Sequence, residues 1–291
     1  MKRLVTANLG IMFSWLWFMS PAGAQINSPA GRTLFLQNYM VRTDLKVMRF
    51  PRLLRDGERI HDPLNRQVTA LVWETSFAYG LAKNTTVMAA FPFITREMSF
   101  NEDGGRGSQR STGLGDAMFL VQYDGIYNRN RLGGFTRLSG VFGVKPPTGK
   151  GGFSTKSTDF ITGLIFTDFG PRWKFSGDLE YVITTEGERV KRGNSLSYDA
   201  SVAYYLLKPP ERRDLFLVLE LNGKSEAKTK RIGLRLPDSG GNTIFLSPGI
   251  EYGFRPNMIL EFSVPIPIFQ DLQGTQLGRS FTMLGGLRYV F

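Results

Sequence analysis

Cysteine is absent from this chain of 291 residues, which excludes disulfides, a lipid-anchored cysteine and any thiolate metal site. Histidine occurs once, at His61. Acidic residues are in deficit, 25 against 36 Lys and Arg, and the formal charge is +11. Long apolar runs are missing as well: beyond residue 24 no stretch approaches the ~20 residues a membrane helix requires. A membrane location for residues 25–291 is therefore open only to a closed β-barrel. No linker, low-complexity tract or repeat divides those residues, so a single domain is expected.

What is present at the two ends points to export and then to a membrane. Lys2 and Arg3 precede the apolar run from Leu9 to Met19, which is too short to span a bilayer, and Ala22-Gly23-Ala24 follows. This pattern marks residues 1–24 as a cleaved secretory signal, with the mature chain beginning at Gln25. Losing Lys2 and Arg3 with the leader lowers the formal charge from +11 to +9. An exported chain meets no nucleic acid, so the partner suited to that charge is lipopolysaccharide or an anionic solute. At the other end, Phe281, Met283, Leu287, Tyr289 and Phe291 share one face at period two, with Thr282, Gly286 and Arg288 on the other. One face suits lipid and the other water. A chain that closes on an aromatic residue in such a strand resembles outer-membrane barrel proteins, whose last strand serves as the signal read by the barrel-assembly machinery.

Between the ends, about twelve segments have barrel-strand length: 33–44, 68–80, 85–95, 114–125, 135–145, 158–169, 172–183, 195–206, 214–223, 242–253, 258–266 and 279–291. In 172–183, for example, Trp173, Phe175, Leu179, Tyr181 and Ile183 oppose Lys174, Asp178 and Glu180. Segment 158–169 is apolar on both faces and 33–44 alternates poorly, so their registers stay open. The connections alternate between short ones rich in Asn, Gly and Pro and longer ones, the asymmetry of periplasmic turns and outer loops. The expected fold is all-β: a transmembrane, up-and-down, antiparallel β-barrel of about twelve strands. Its polar strand faces put Asp116, Asp124, Lys145, Lys174, Asp178, Glu180, Asp199, Glu220, Glu251, Glu261 and Arg288 in the lumen. A charge turned to mid-bilayer would instead cost ~2–4 kcal/mol for Lys or Arg. Such a lumen is either a narrow path for one small solute at a time or a plug of paired charges.

Three motifs carry a resemblance to a known family. Gly113-Leu114-Gly115-Asp116 opens one strand, Gly143-Val144-Lys145-Pro146-Pro147-Thr148-Gly149 closes the next, and Val264-Pro265-Ile266-Pro267-Ile268-Phe269-Gln270-Asp271 precedes the last. Their order resembles the transporter-like outer-membrane family named putative MetA-pathway of phenol degradation, over most of residues 25–291. The resemblance implies uptake of a small, mostly apolar molecule linked to aromatic catabolism, and it brings no catalytic residues. The Arg-rich first loop departs from the family's usual look and leaves the substrate open.

Other features are weaker. His61 beside Asp62 could act as the base of a lipid-hydrolysing barrel enzyme, but no Ser sits in a nucleophile setting and an exposed loop His is usually solvated. Gly143 to Gly151 lacks the spacing and the Ser or Thr of a phosphate-binding loop. Glu102 and Asp103 are too few for calcium. No metal or cofactor is expected. Basic residues crowd the outer loops, Arg49, Arg52, Arg55, Arg59 and Arg66 in the first alone, where lipopolysaccharide phosphates are the ordinary counter-charge. Pro92, Pro146, Pro147, Pro248, Pro265 and Pro267 map to outer strand ends, where the wall should be weakest. The expected function is a channel for small aromatic or hydrophobic molecules; the alternatives are a lipid-hydrolysing enzyme and a plugged structural barrel.

Overall fold

The computed structural model describes residues 26–27, 37–102, 105–131, 134–207, 214–255 and 257–291; the leader expected at 1–24 lies outside them. Twelve strands carry the wall: β1 Tyr39–Phe50, β2 Gln67–Ala82, β3 Thr85–Glu102, β4 Met118–Arg131, β5 Gly134–Lys145, β6 Asp159–Phe169, β7 Trp173–Ile183, β8 Ser195–Leu207, β9 Asp214–Glu226, β10 Gly241–Arg255, β11 Met258–Ser263 and β12 Phe281–Val290. Each pairs antiparallel with its neighbours in sequence, and β1 pairs with β12 from Met40↔Val290 to Arg49↔Phe281, which closes the sheet. Closure satisfies every strand edge, the condition for a sheet in lipid. Among the described residues no helix is long and apolar enough to cross a membrane.

The period-two pattern turns large apolar side chains outward. Trp73, Phe77, Phe91, Phe119, Phe142, Phe166, Phe175 and Leu179 are all exposed, as a lipid-facing band requires. Connections at one rim are short, such as 83–84 between β2 and β3 and 170–172 between β6 and β7. Those at the other rim are long and knit together. Arg52–Arg55 pairs with Thr275–Gly278 and Glu58–Ile60, and four two-residue strands tie 186–191 to 230–235. The stretch 96–113, expected as a loop, is instead a hairpin in which Gly105–Leu114 pairs with the outer half of β3. Gly105–Leu114 is mostly exposed, whereas Arg96 and Met98 of its partner strand turn inward.

The first strand departs most from expectation: it is Tyr39–Phe50, not 33–44, of which 33–36 lie outside the described residues. The alternation is plain once the window moves, with Arg42, Asp44 and Lys46 buried between Val41, Thr43, Leu45 and Val47. Two prolines also sit mid-strand instead of at strand ends, for a definable reason. Pro92 in β3 faces the break at Gly115–Ala117, and Pro248 in β10 faces the break at Val264–Pro265. The partner strand is bulged out of the ladder there, so the missing N–H deprives no regular ladder acceptor.

At Val264–Pro265 the wall also changes partners. Below it β11 pairs with both β10 and β12; above it Ile266–Leu272 pairs with β10. Across the gap, Gln270 stands in for a strand: its Nε2 donates to Arg279 O and its Oε1 accepts from Arg279 N, both at 2.8 Å.

Candidate functional site

The lumen is enclosed by all twelve strands, and the side chains that fill it divide by polarity. One wall is apolar. Met48, Phe50, Leu53, Val68, Ala70, Val72, Ile94, Met98 and Leu277 form a cluster at the outer end, into which Phe153 of the inward-folded segment 146–158 inserts. A second cluster, Ala78, Met88, Ala90, Met118, Leu120, Val141, Ile161, Ile165 and Val182, continues across β2–β7. This explains why 158–169 reads as apolar on both faces: Ile161 and Ile165 face the cluster while Phe160, Leu164 and Phe166 face lipid.

The rest of the interior, along β7–β12 and β1, is charged, while Asp124 with Arg137 sits on β4–β5 among the strands of the apolar side. Asp178 faces Asp199 in the β7–β8 register, and Asp199 Oδ1 accepts from Asn222 Nδ2 at 3.1 Å. Glu251 and Glu261 both pair with Arg288. Glu261 Oε2 also lies 3.1 Å from Arg42 Nη2, across the intervening β12. Arg42 can cross because the residue between is Gly286, where a Cβ would come within 2.4 Å of Asp44 Oδ1. Asp124 accepts from Ser139 Oγ at 2.6 Å and pairs with Arg137 at 3.4 Å. Lys174 and Glu180 are buried on β7. Arg42, Asp44, Lys46 and Glu74, absent from the expected set, belong to the same wall.

Two of the expected lumen residues anchor the inward segment. Asp116 Oδ1 accepts from Gly149 N at 2.9 Å, and its Oδ2 accepts from Thr155 N and Thr155 Oγ1, each at 2.7 Å. Lys145 pairs with Asp159 at 2.6 Å, and Asp159 also accepts from Ser157 Oγ and Thr185 N. The glycine-rich motifs thus meet in space and hold Phe153 over the lumen.

A second obstruction lies on the polar side. Ile26 N and Asn27 N donate to the two oxygens of Glu220 at 2.9 and 3.0 Å, Asn27 Nδ2 donates to Ser263 Oγ at 2.7 Å, and Ile26 O accepts from Arg42 Nη2 at 3.0 Å. The Ile26 side chain packs with Ala203, Val218 and Leu284. It also sits against Gly249, whose Cβ would come within 2.6 Å of Ile26 Cδ1. Lys145 and Glu220 expose 2% and 1% of their surface, so around them the lumen is packed with side chains and not filled by water.

Several further charges pack inward, among them Arg96 and Arg192, which the sequence places in outer loops. Arg96 stacks on Phe153, with its guanidinium carbon 5.0 Å from the ring centre. Arg279 lies between Phe50 and Phe245, 5.5 and 4.8 Å from their centres, and burial pulls its guanidinium down to about 10. Arg192, in the 184–194 loop, is likewise lowered by burial, against the pull of Asp159, Asp116 and Glu226. Local periodicity carries no sign of this, because loop folding decides it. His61 is exposed, and both Asp62 oxygens are engaged by Arg66 and Leu64 N. Burial favours the neutral Asp62 acid, but these hydrogen bonds outweigh it and hold the carboxyl below its usual value. No group of acids and histidines among the described residues could hold a metal.

A closed twelve-strand barrel with a lipid-facing band, short turns at one rim and an occupied polar interior defines the class of outer-membrane β-barrels. The family model "Putative MetA-pathway of phenol degradation" matches residues 64–269, and the chain belongs to that family. Among solved structures, the COG4313 outer membrane channel from Pseudomonas putida F1 is similar with a TM-score of 0.73 at 12% identity, covering 92% of this chain and 100% of that one. The β domain of the Bordetella autotransporter BrkA is similar with a TM-score of 0.50 at 12% identity, covering 88% and 100%. No curated protein sequence matches the chain.

Proposed function

We propose that this protein is an outer-membrane channel for small aromatic or hydrophobic molecules and performs no covalent chemistry. The observation that carries this reading is the apolar cluster of Met48, Phe50, Val68, Ala70, Val72, Ile94, Met98 and Leu277, closed by Phe153, at the outer end of the barrel interior. Burial of these side chains against Phe153 stabilises the barrel, and an apolar solute that displaced Phe153 would gain the same ~25 cal/mol per Å² it buries there. The family's link to phenol degradation and the channel named above agree in direction. This cluster leads to a second apolar cluster on the same wall, a track along which such a solute could move while the charged wall keeps its pairs.

Export by a leader cleaved after Ala24 and assembly through the final strand belong to the same reading. Phe281, Met283, Leu287, Tyr289 and Phe291 are the residues that the assembly machinery would read, and lipopolysaccharide phosphates are the partners of the exposed outer-loop arginines. The inward charges from Asp116 to Arg288 serve in this reading to hold the obstructions that a solute must displace.

The deciding experiment compares uptake of labelled phenol by cells that carry or lack the protein, with a variant in which Val72 and Ile94 are both changed to Asp. Faster uptake with the native protein and loss in the assembled variant support the channel. Equal uptake in all three would sink it.

A further inference from the structure

Beside the outer apolar cluster lies a cation with no acid partner. The Arg279 guanidinium makes no ion pair or hydrogen bond within the described residues, and its Nε is sealed from solvent. Burial is the one influence on its ionisation, with no carboxylate close enough to offset it. Lys46 and Lys224, also cations, lie within electrostatic range, and Lys224 already pairs with Glu226 at 2.8 Å. A desolvated charge without a counter-ion is costly. Proteins keep such a group where a ligand supplies the missing charge.

The geometry narrows the ligand. The Arg279 guanidinium carbon lies 5.5 Å from the Phe50 ring centre and 4.8 Å from that of Phe245, and its N–H donors point outward in the guanidinium plane. A planar carboxylate satisfies those edge donors in bidentate fashion. Phe50, Leu277 and the rest of the outer apolar cluster offer a flat hydrocarbon ring an apolar surface beside the guanidinium. The Gln270 amide grips both backbone groups of Arg279, which fixes where the side chain starts. A loop arginine needs no such clamp to attract lipopolysaccharide.

We propose that Arg279, with Phe50 and Phe245, is a capture site for small aromatic carboxylates at the outer apolar cluster. This deepens the channel reading by naming a solute class and the residue that selects it. The guanidinium binds the carboxylate, and the phenylalanines and Leu277 take the ring. Acetate lacks the ring, and benzamide has the ring without the charge.

The test is isothermal titration of benzoate, benzamide and acetate into the detergent-solubilised full-length barrel. The native protein should bind benzoate at least about tenfold more tightly than either of the others, a difference of ~1.4 kcal/mol. Arg279→Leu should remove the preference for benzoate over benzamide, and Arg279→Lys should keep part of it, since charge survives but the fork does not. Phe245→Leu should weaken benzoate and benzamide together. Heat-modifiable mobility checks that each variant is assembled, and Phe245→Leu supplies a second line should Arg279→Leu fail to fold. No preference for benzoate in the native protein, or a preference that survives in Arg279→Leu, overturns the site. Either result leaves phenol uptake, and with it the channel reading, to stand or fall by its own experiment.

Discussion

Gly149 N donates to Asp116 Oδ1 at 2.9 Å, so two motifs that lie 33 positions apart form one joint. The other Asp116 oxygen takes the two donors of Thr155, and Thr148 Oγ1 accepts from Ala117 N at 2.7 Å. One buried carboxylate therefore sets both ends of the segment that carries Phe153 into the outer apolar cluster.

Changing Asp116 to Ala should release that segment. It removes three hydrogen bonds to a charged acceptor and leaves buried donors unpaired, at a cost of about 1–3 kcal/mol for each group left unsatisfied. Limited proteolysis should then cut within 146–158, and the heat-modification midpoint should fall while the barrel still assembles. Unaltered protease resistance would mean that Asp116 does not hold the segment.

How far this was legible in the sequence depends on the range of the interaction. Trp173 to Ile183 announces its faces because lipid and water sort side chains at period two, and such sorting is local. The joint at Asp116 is not local; Gly113 to Asp116 and Gly143 to Gly149 stand out as motifs, but nothing in either says they touch. The first strand starts and ends later than 33–44 because its alternation runs from Val41 to Val47, past residue 44. That offset hides Arg42, Asp44 and Lys46 as interior residues. Arg96 and Arg192 read as outer-loop charges because burial in a loop follows from tertiary folding, which leaves no periodic trace, and nothing in the sequence singles out Arg279.

Deleting Phe291 should lower the amount of barrel in the outer membrane. Its ring stacks on Tyr39 at 5.6 Å and Tyr289 at 5.3 Å, and its backbone N–H and C=O both bond to Tyr39 where β1 meets β12. The closing seam loses two backbone bonds and an aromatic contact, apart from any role in recognition. Quantitative blots of heat-modifiable protein in outer-membrane fractions give the readout, and native levels would count against it.

His61→Ala should leave phospholipid and lipid A turnover unchanged. Asp62 is committed to Arg66 and Leu64 N, so no oriented acid steadies His61 as a base. Fatty-acid release by the native barrel that the variant lacks would replace the channel reading with a hydrolase.

The strongest prediction about passage concerns Ile26 and Asn27. Glu220, Ser263 and Arg42 hold these two residues in the polar half of the lumen from three different strands. Glu220→Ala leaves two buried N–H donors without an acceptor, which should free the segment and raise single-channel conductance several-fold in planar bilayers. Conductance could also rise because the barrel wall loosens, so a lock is needed. The chain has no cysteine, which makes a paired Asn27→Cys and Ser263→Cys substitution clean: Asn27 Nδ2 lies 2.7 Å from Ser263 Oγ, and since a sulfur at position 27 takes the place of the Asn27 Cγ, a small shift of Ile26–Asn27 brings the two sulfurs to bonding distance. Added to Glu220→Ala, the oxidised pair should restore the low native conductance, and a reductant should raise it again. Failure of the disulfide to form in assembled protein, even with a strong oxidant, would count against Asn27 sitting at Ser263. A disulfide that forms without lowering conductance would show that the current passes elsewhere and that Ile26–Asn27 does not close the path.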